Sequence, residues 1–170
     1  VKDIVSVSCG TGHSILLDTH GDVYVCGDNG YGNLGLGGDT NRNTPVKNPF
    51  LSDIVQIASG GSHTFALNSN NELYAFGNNN SCQLGLGHCG ETKKACLISN
   101  IPPIKSLCCG YSHSIIVDFD GNIYVCGENS YGQLGLGKDI KSISTFTKIE
   151  SLKDVTLIPN NVSYLSLIHI

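Results

Sequence analysis

The sequence predicts an all-β fold, a partial β-propeller made of small sheets standing side by side. Three observations carry that reading. First, the chain repeats itself every 50 residues: His13, His63 and His113 stand in register, as do Gly10, Gly60 and Gly110, then Gly27, Gly77 and Gly127. Second, residues 101–139 match residues 1–39 at 21 positions, where ordinary residue usage would supply about two or three. Third, apolar residues nowhere hold helical spacing across three turns, so almost no helix is expected. Sheets of a few strands at this period read as propeller blades, whereas helical or leucine-rich solenoids have shorter units or visible helices. One such unit cannot bury its own faces, so neighbours must stack.

Within each unit the elements follow in order. DIVSVSCG at residues 3–10, HSILLD at 13–18 and DVYVCG at 22–27 are short, β-branched or aromatic, and bounded by Gly or Asn, which predicts three strands. Between the second and third lies a tight link: Asp18–Gly21, Asn68–Asn71, Asp118–Gly121. Its last residue is Gly, Asn, Gly. Glycine reaches positive φ freely and asparagine is the next most tolerant, so the exchange preserves one backbone shape, that of a hairpin loop. An L-G-L-G run comes next, at Leu34–Gly37, Leu84–Gly87 and Leu134–Gly137. Read as a strand, it turns Leu34 and Leu36 to one side and lets Gly35 and Gly37 admit a neighbouring backbone on the other. The units occupy about residues 3–52, 53–102 and 103–153, together residues 1–153. Each sheet is expected from one period, with a strand exchanged across the boundary.

The pattern G-x-x-H-[ST], a hairpin, [VIL]-Y-x-x-G-x-N and L-G-L-G resembles the repeat of the regulator of chromosome condensation family. CGTGHSILLDTHGDVYVCGDNGYGNLGLG and CGYSHSIIVDFDGNIYVCGENSYGQLGLG match it closely, and the middle copy is looser. The signature positions are Gly10, His13, Gly27 and Gly35, then Gly60, His63, Gly77 and Gly85, then Gly110, His113, Gly127 and Gly135. Where the family carries tryptophan before the G-x-N step, this chain has Cys26, Phe76 and Cys126; Cys82 stands where the sister copies have Gly32 and Gly132. If those glycines hold positive φ, Cys82 bears a conformational penalty of roughly 1 kcal/mol. The resemblance implies four-stranded blades in a seven-bladed ring, which three units leave open.

The ends agree with a piece of a longer protein. The chain starts at Val1 inside a repeat and contains no methionine. A fourth repeat is expected to begin at residues 154–164. Residues 165–170, LSLIHI, have no partner in any repeat and resemble the translation of a sequencing-library transposase adapter, so they are expected to be a read-through scar. A formal charge of −4 and a pI near 5.8 argue against nucleic-acid contact from this part. No apolar run reaches a membrane span. Of the 8 cysteines, Cys9 and Cys109 are equivalent, as are Cys26 and Cys126, which reads as small buried hydrophobes with reduced thiols, and hence an intracellular compartment.

Several stretches imitate chemistry. G-x-G-x-x-G at Gly30–Gly35 is lost in the other copies, where Ser130, Asn80 and Cys82 intrude, and no helix follows to aim at a pyrophosphate. GQLGLGKD at Gly132–Asp139 lacks the hydroxyl that a phosphate-binding loop uses for magnesium. Cys82, His88, Cys89 and Cys96 are close in sequence but not at zinc spacing, and are expected to be reduced thiols in a variable loop. The repeat histidines, one per stacked unit, cannot converge on a substrate; each is expected to bond backbone at a strand entrance. Asn79 and Asn161 head glycosylation sequons only if the protein is secreted. No catalytic, cofactor or metal residues are expected.

What remains is the loops, where repeat folds bind. Asp18, His20, Asp22, Asp118 and Asp120 cluster at the hairpins. Aspartate favours turns, and the same residues form a candidate acidic rim for a basic partner. The expected role is protein–protein recognition within a larger intracellular protein. The alternative that the resemblance implies is guanine nucleotide exchange on a Ran-like small GTPase. The wedge that such exchange factors press onto the GTPase has no counterpart in copies locked at 50 residues.

Overall fold

The computed structural model describes residues 1–137 and 139–152; the expected fourth repeat and the expected adapter scar lie outside them. Strands follow one another as β1 (Ile4–Cys9), β2 (His13–Asp18), β3 (Val23–Gly27) and β4 (Arg42–Lys47) in the first unit. The second holds β5 (Ile54–Ser59), β6 (His63–Asn68), β7 (Leu73–Gly77) and β8 (Thr92–Leu97), and the third β9 (Ile104–Cys109), β10 (His113–Asp118), β11 (Ile123–Glu128) and β12 (Ser142–Lys148). Among the described residues there is no helix. Each unit is one four-stranded antiparallel sheet with its strands in chain order. The expected strand exchange does not occur. The fourth strand of each period lies against the third of the same period, and this completes the sheet from one continuous stretch. These outer strands are polar and carry Pro45, Lys93 and Lys94, as edge strands do.

The core sits between blades. Ile15, Leu17, Val23, Val25 and Leu34 of the first blade pack on Ile57, Ala66 and Phe76 of the second. Phe65, Leu67, Leu73, Ala75 and Leu84 of the second pack on Ile104, Leu107 and Ile116 of the third. Alternation along each strand therefore sends one set of side chains forward and the other back, which is why both faces read as apolar. The innermost strands β1, β5 and β9 lie side by side. There the Thr11 N–H and hydroxyl both donate to Gly61 O (2.9 and 2.7 Å), and Gly61 N–H donates to Tyr111 O at 3.0 Å.

The L-G-L-G runs are not alternating strands. Gly35, Gly37, Gly85 and Gly87 all have left-handed φ, between +66° and +85°, and each run is a turn that hooks the next blade. Gly37 N–H donates to Lys93 O and Gly87 N–H to Ser144 O, both at 2.8 Å. A Cβ on Gly35 would strike the Phe76 ring at 2.8 Å, and one on Gly85 the Phe146 ring at 2.7 Å. These glycines thus admit a neighbour's aromatic side chain rather than a neighbour's backbone.

The first blade's trailing face is bare. Val7 is 46% exposed where its counterparts Ile57 and Leu107 are 3% and 2% exposed. The same position in the stack corrects the cysteine reading: Cys109 and Cys126 are buried, but Cys9 is exposed and Cys26 half-buried. Burial at these sites comes from the preceding blade rather than from the blade's own strands.

Candidate functional site

Antiparallel strands divide each blade's connections between two ends. One end carries the β2–β3, β6–β7 and β10–β11 hairpins; the other carries the G-x-x-H turns and the L-G-L-G loops.

At the hairpin end the backbone shape is the same three times. Gly21, Asn71 and Gly121 hold φ of +80°, +63° and +79°, each donating its N–H to the residue three back, Asp18, Asn68 or Asp118. Gly21 O accepts from Ile54 N–H, and a Cβ there would sit 2.9 Å from Asp53 Cα. Asn71 reaches the next blade with its side chain, accepting from Ile104 N–H at 2.7 Å and donating to Ile104 O at 2.9 Å. Asparagine thus preserves the turn and the inter-blade link together.

Asp18 and Asp118 are not a rim. Both are buried. Asp18 Oδ1 accepts from the N–H groups of His20 and Asp22, each at 2.9 Å. Asp118 Oδ1 accepts from those of Asp120 and Asn122, and its Oδ2 from Asn122 Nδ2 and the Tyr124 hydroxyl. Burial opposes ionisation of both carboxyls, but these donors outweigh it and hold them below the usual carboxylate range. Asn68 does the same work in the middle blade. Asp22 pairs with the Lys47 ammonium, which offsets its charge. Of the five expected residues, His20 and Asp120 are exposed, His20 with 76% of its side chain exposed and its Nδ1 4.0 Å from Asp18 Oδ2. Beside Asp120 stands Phe119, 65% exposed. Sequence reasoning missed it, although a phenylalanine where the sister copies have Thr19 and Ser69 was a visible signal.

His13 and His63 bond the next blade, and they reach side chains rather than the backbone. His13 Nε2 lies 2.9 Å from Thr64 Oγ1, and His63 Nε2 lies 3.0 Å from Ser114 Oγ. Those hydroxyls already donate their single hydrogens to Asn33 O and Gln83 O. Each must therefore accept from the imidazole, which places the ring proton on Nε2. Each ring folds over its own G-x-x-H glycine: a Cβ on Gly10, Gly60 or Gly110 would come within 2.2 Å of the imidazole Cε1. Burial pushes His63 down to about 3, helped by charge on His13 and His113, and pushes His13 to about 4 against the pull of Asp28. These are neutral structural rings at physiological pH. Thr64 and Ser114, each the residue after the histidine in its H-[ST] pair, serve the histidine of the blade before.

At the opposite end a hollow of about 110 Å³ lies among Gly10, Thr11, Gly60, Gly61, Gly110 and Tyr111. It falls short of the ~300 Å³ that small-molecule sites begin at. The asparagines of the G-x-N step are buried and organise the loops: Asn29 Oδ1 accepts from Leu34 N–H while its amide donates to Gly38 O and Thr40 O. Asn79 makes the matching bonds to Leu84 and His88, so its sequon amide is buried and engaged. In that loop Cys82 and Cys89 are joined by a disulfide, which corrects the expectation of reduced thiols there and leaves neither for a metal. The loop geometry, not the sequence spacing, brings them together. Cys82 itself has a positive φ of +61°, in the left-handed region with +80° at Gly32 and +79° at Gly132, as the glycine pattern predicts.

The comparisons agree with this geometry. The family model described as the regulator of chromosome condensation (RCC1) repeat matches residues 20–67, 70–117 and 120–165, and a second model of the same repeat matches residues 4–33, 54–83 and 104–133. In its first two matches this frame straddles the blades, running from the third strand of one sheet to the second strand of the next. Among solved structures, human WBSCR16 matches at 25% identity with a TM-score of 0.75 over 86% of this chain and 37% of its own. Yeast RCC1 (Prp20) bound to Kap60 matches at 26% and 0.77, over 88% and 38%. Prp20p from Saccharomyces cerevisiae, whose binding to Gsp1p and histones was studied with its structure, matches at 25% and 0.76, over 88% and 39%. The chain spans less than two-fifths of the length of these relatives. No curated protein sequence matches it.

Proposed function

Because the chain belongs to the regulator of chromosome condensation (RCC1) repeat family, we propose that its blades are part of a protein-recognition propeller within a larger intracellular protein, and that the hairpin end presents the recognition surface. One observation carries the reading. The three hairpins share a single backbone shape, yet their outermost pairs are chemically different: Thr19–His20, Ser69–Asn70 and Phe119–Asp120, all exposed. A frame that keeps its backbone shape while its outward residues change in chemistry suits recognition. The exposure does not stem from a bare blade edge, since the pairs on the first two blades are exposed although a following blade is in place. An exposed aromatic beside a carboxylate on the third hairpin, with an imidazole on the first, fits a mixed protein surface better than a small molecule. The intracellular assignment rests on Cys9, Cys26, Cys96, Cys109 and Cys126, which form no disulfide among the described residues.

A second reading is favoured by the similarity to yeast RCC1 (Prp20): nucleotide exchange on a Ran-like small GTPase. The test separates the two. The intact protein and a His20→Ala/Phe119→Ala/Asp120→Ala variant are used to capture partners, and both are assayed for release of labelled GDP from a Ran-like GTPase. The recognition reading expects a partner whose binding falls at least about tenfold in the variant, with GDP release unchanged. Many-fold faster release with the intact protein favours exchange instead. Full retention of every partner by the variant places recognition elsewhere.

A further inference from the structure

We propose that Cys82 and Cys89 form a reversible thiol–disulfide modification site that fastens the middle blade's loop onto the blade after it. Both residues stand where this loop departs from a residue that its two sister copies share. Gly32 and Gly132 become Cys82, and Asp39 and Asp139 become Cys89. The two replacements meet: their Cα atoms are 4.6 Å apart and their sulfurs are bonded. A cysteine in the left-handed region is disfavoured on its own, so packing gives no reason for it; a partner seven residues on does. In the first loop a Cβ at Gly32 would lie 2.4 Å from Lys93 Cα, whereas the junction between the second and third blades accommodates the whole Cys82 side chain, buried to 4% exposure.

The enclosed loop is the one that hooks the third blade. Leu86 bridges to Thr145 and Gly87 N–H donates to Ser144 O at 2.8 Å. The first blade makes the same hook without cysteines, through Leu36 to Lys94 and Gly37 N–H to Lys93 O. The bond therefore acts on one junction and leaves an internal control.

Cys89 is exposed and Cys82 buried, which orders the chemistry. The Cys89 thiolate attacks one sulfur of a low-molecular-weight disulfide and expels a small thiolate. The Cys82 thiolate then attacks the Cys89 sulfur of the mixed disulfide and expels the second. Two protein thiols are oxidised, losing two protons and two electrons, and one small disulfide is reduced to two thiols; two small thiols reverse it. Disulfides in reducing compartments are typically of this transient kind.

The experiment equilibrates the intact protein in glutathione buffers from fully reduced to fully oxidised, traps free thiols by alkylation, and follows hydrogen exchange at Gly87 and Gly37. The pair is expected to titrate as one two-electron couple. Oxidation should slow Gly87 exchange by up to about 60-fold, the scale set by closing so short a loop, with Gly37 unchanged. A Cys82→Gly/Cys89→Asp variant, which restores the first blade's residues, should lose the redox response. A bond that survives every glutathione ratio is a permanent staple and overturns the proposal. So does a pair that never oxidises, or an equal response at Gly37 and Gly87.

Discussion

Replacing Gly60 with alanine tests the inter-blade seam at its tightest point. Gly60 is buried in the middle blade, where the His63 ring folds over it. The new methyl would lie 2.0 Å from His63 Cε1 and 2.5 Å from the carbonyl oxygen of Gly110. Gly110 O belongs to backbone of the next blade and cannot swing away, so the ring must move. Overpacking of this kind costs about 1–3 kcal/mol. The displaced ring also loses its bond to Ser114 Oγ, 3.0 Å away, and a buried donor left without its acceptor costs a further ~1–3 kcal/mol. The expected loss is about 2–6 kcal/mol, read as a lowered urea midpoint of the intact protein. Two other glycines calibrate it. Gly38→Ala meets nothing within 4 Å at an ordinary φ and should stay within about 0.5 kcal/mol of the parent. Gly37→Ala also meets nothing, but its φ of +85° should cost about 1 kcal/mol. If Gly60→Ala costs no more than Gly38→Ala, the packing of imidazole on glycine is not what the repeat's G-x-x-H spacing serves.

Three other outcomes follow from the same geometry. Thr64→Val removes the hydroxyl that accepts from His13 and should destabilise by about 1–3 kcal/mol, while Thr64→Ser should be tolerated, by urea unfolding. The folded-state values near 4 for His13 and 3 for His63 lie below the unfolded value near 6.5, so the unfolded chain binds more protons as pH falls. Stability is fully present above about pH 6.5 and falls by up to about 1.4 kcal/mol per pH unit per ring below it. Melting at pH 7.5 and 5.0 checks this, and an unchanged midpoint refutes it. Asp18→Asn and Asp118→Asn should fold normally, because Asn68 already supplies the same turn acceptor, whereas Asp18→Lys should disrupt its hairpin, by circular dichroism melting.

Much of the blade was legible because the repeat writes backbone demands directly into residue choice. Gly21, Asn71 and Gly121 share a positive φ, and only glycine and asparagine meet that need comfortably. The histidine partners were not legible, because Thr64 lies 51 residues from His13 and the bond is made only when blades stack. The L-G-L-G run misled because local alternation imitates a strand, while its real constraint is a ring, Phe76 or Phe146, on another blade. Asp18 and Asp118 looked like surface because their sequence context is a hairpin; their carboxylates turn inward to the tip's own N–H groups. Cys9 and Cys109 looked alike because their own blades are alike, and they differ in burial because their neighbours differ.

The central claim is that the hairpin end, and not the glycine-loop end, meets a protein partner. The most direct measurement places a photo-crosslinking residue at Phe119 in one version of the intact protein and at Tyr31, exposed at the opposite end, in another. After irradiation of each with the partner that the intact protein captures, the account predicts a crosslinked partner from position 119 and none from position 31. A crosslink from position 31 with none from position 119 would contradict it.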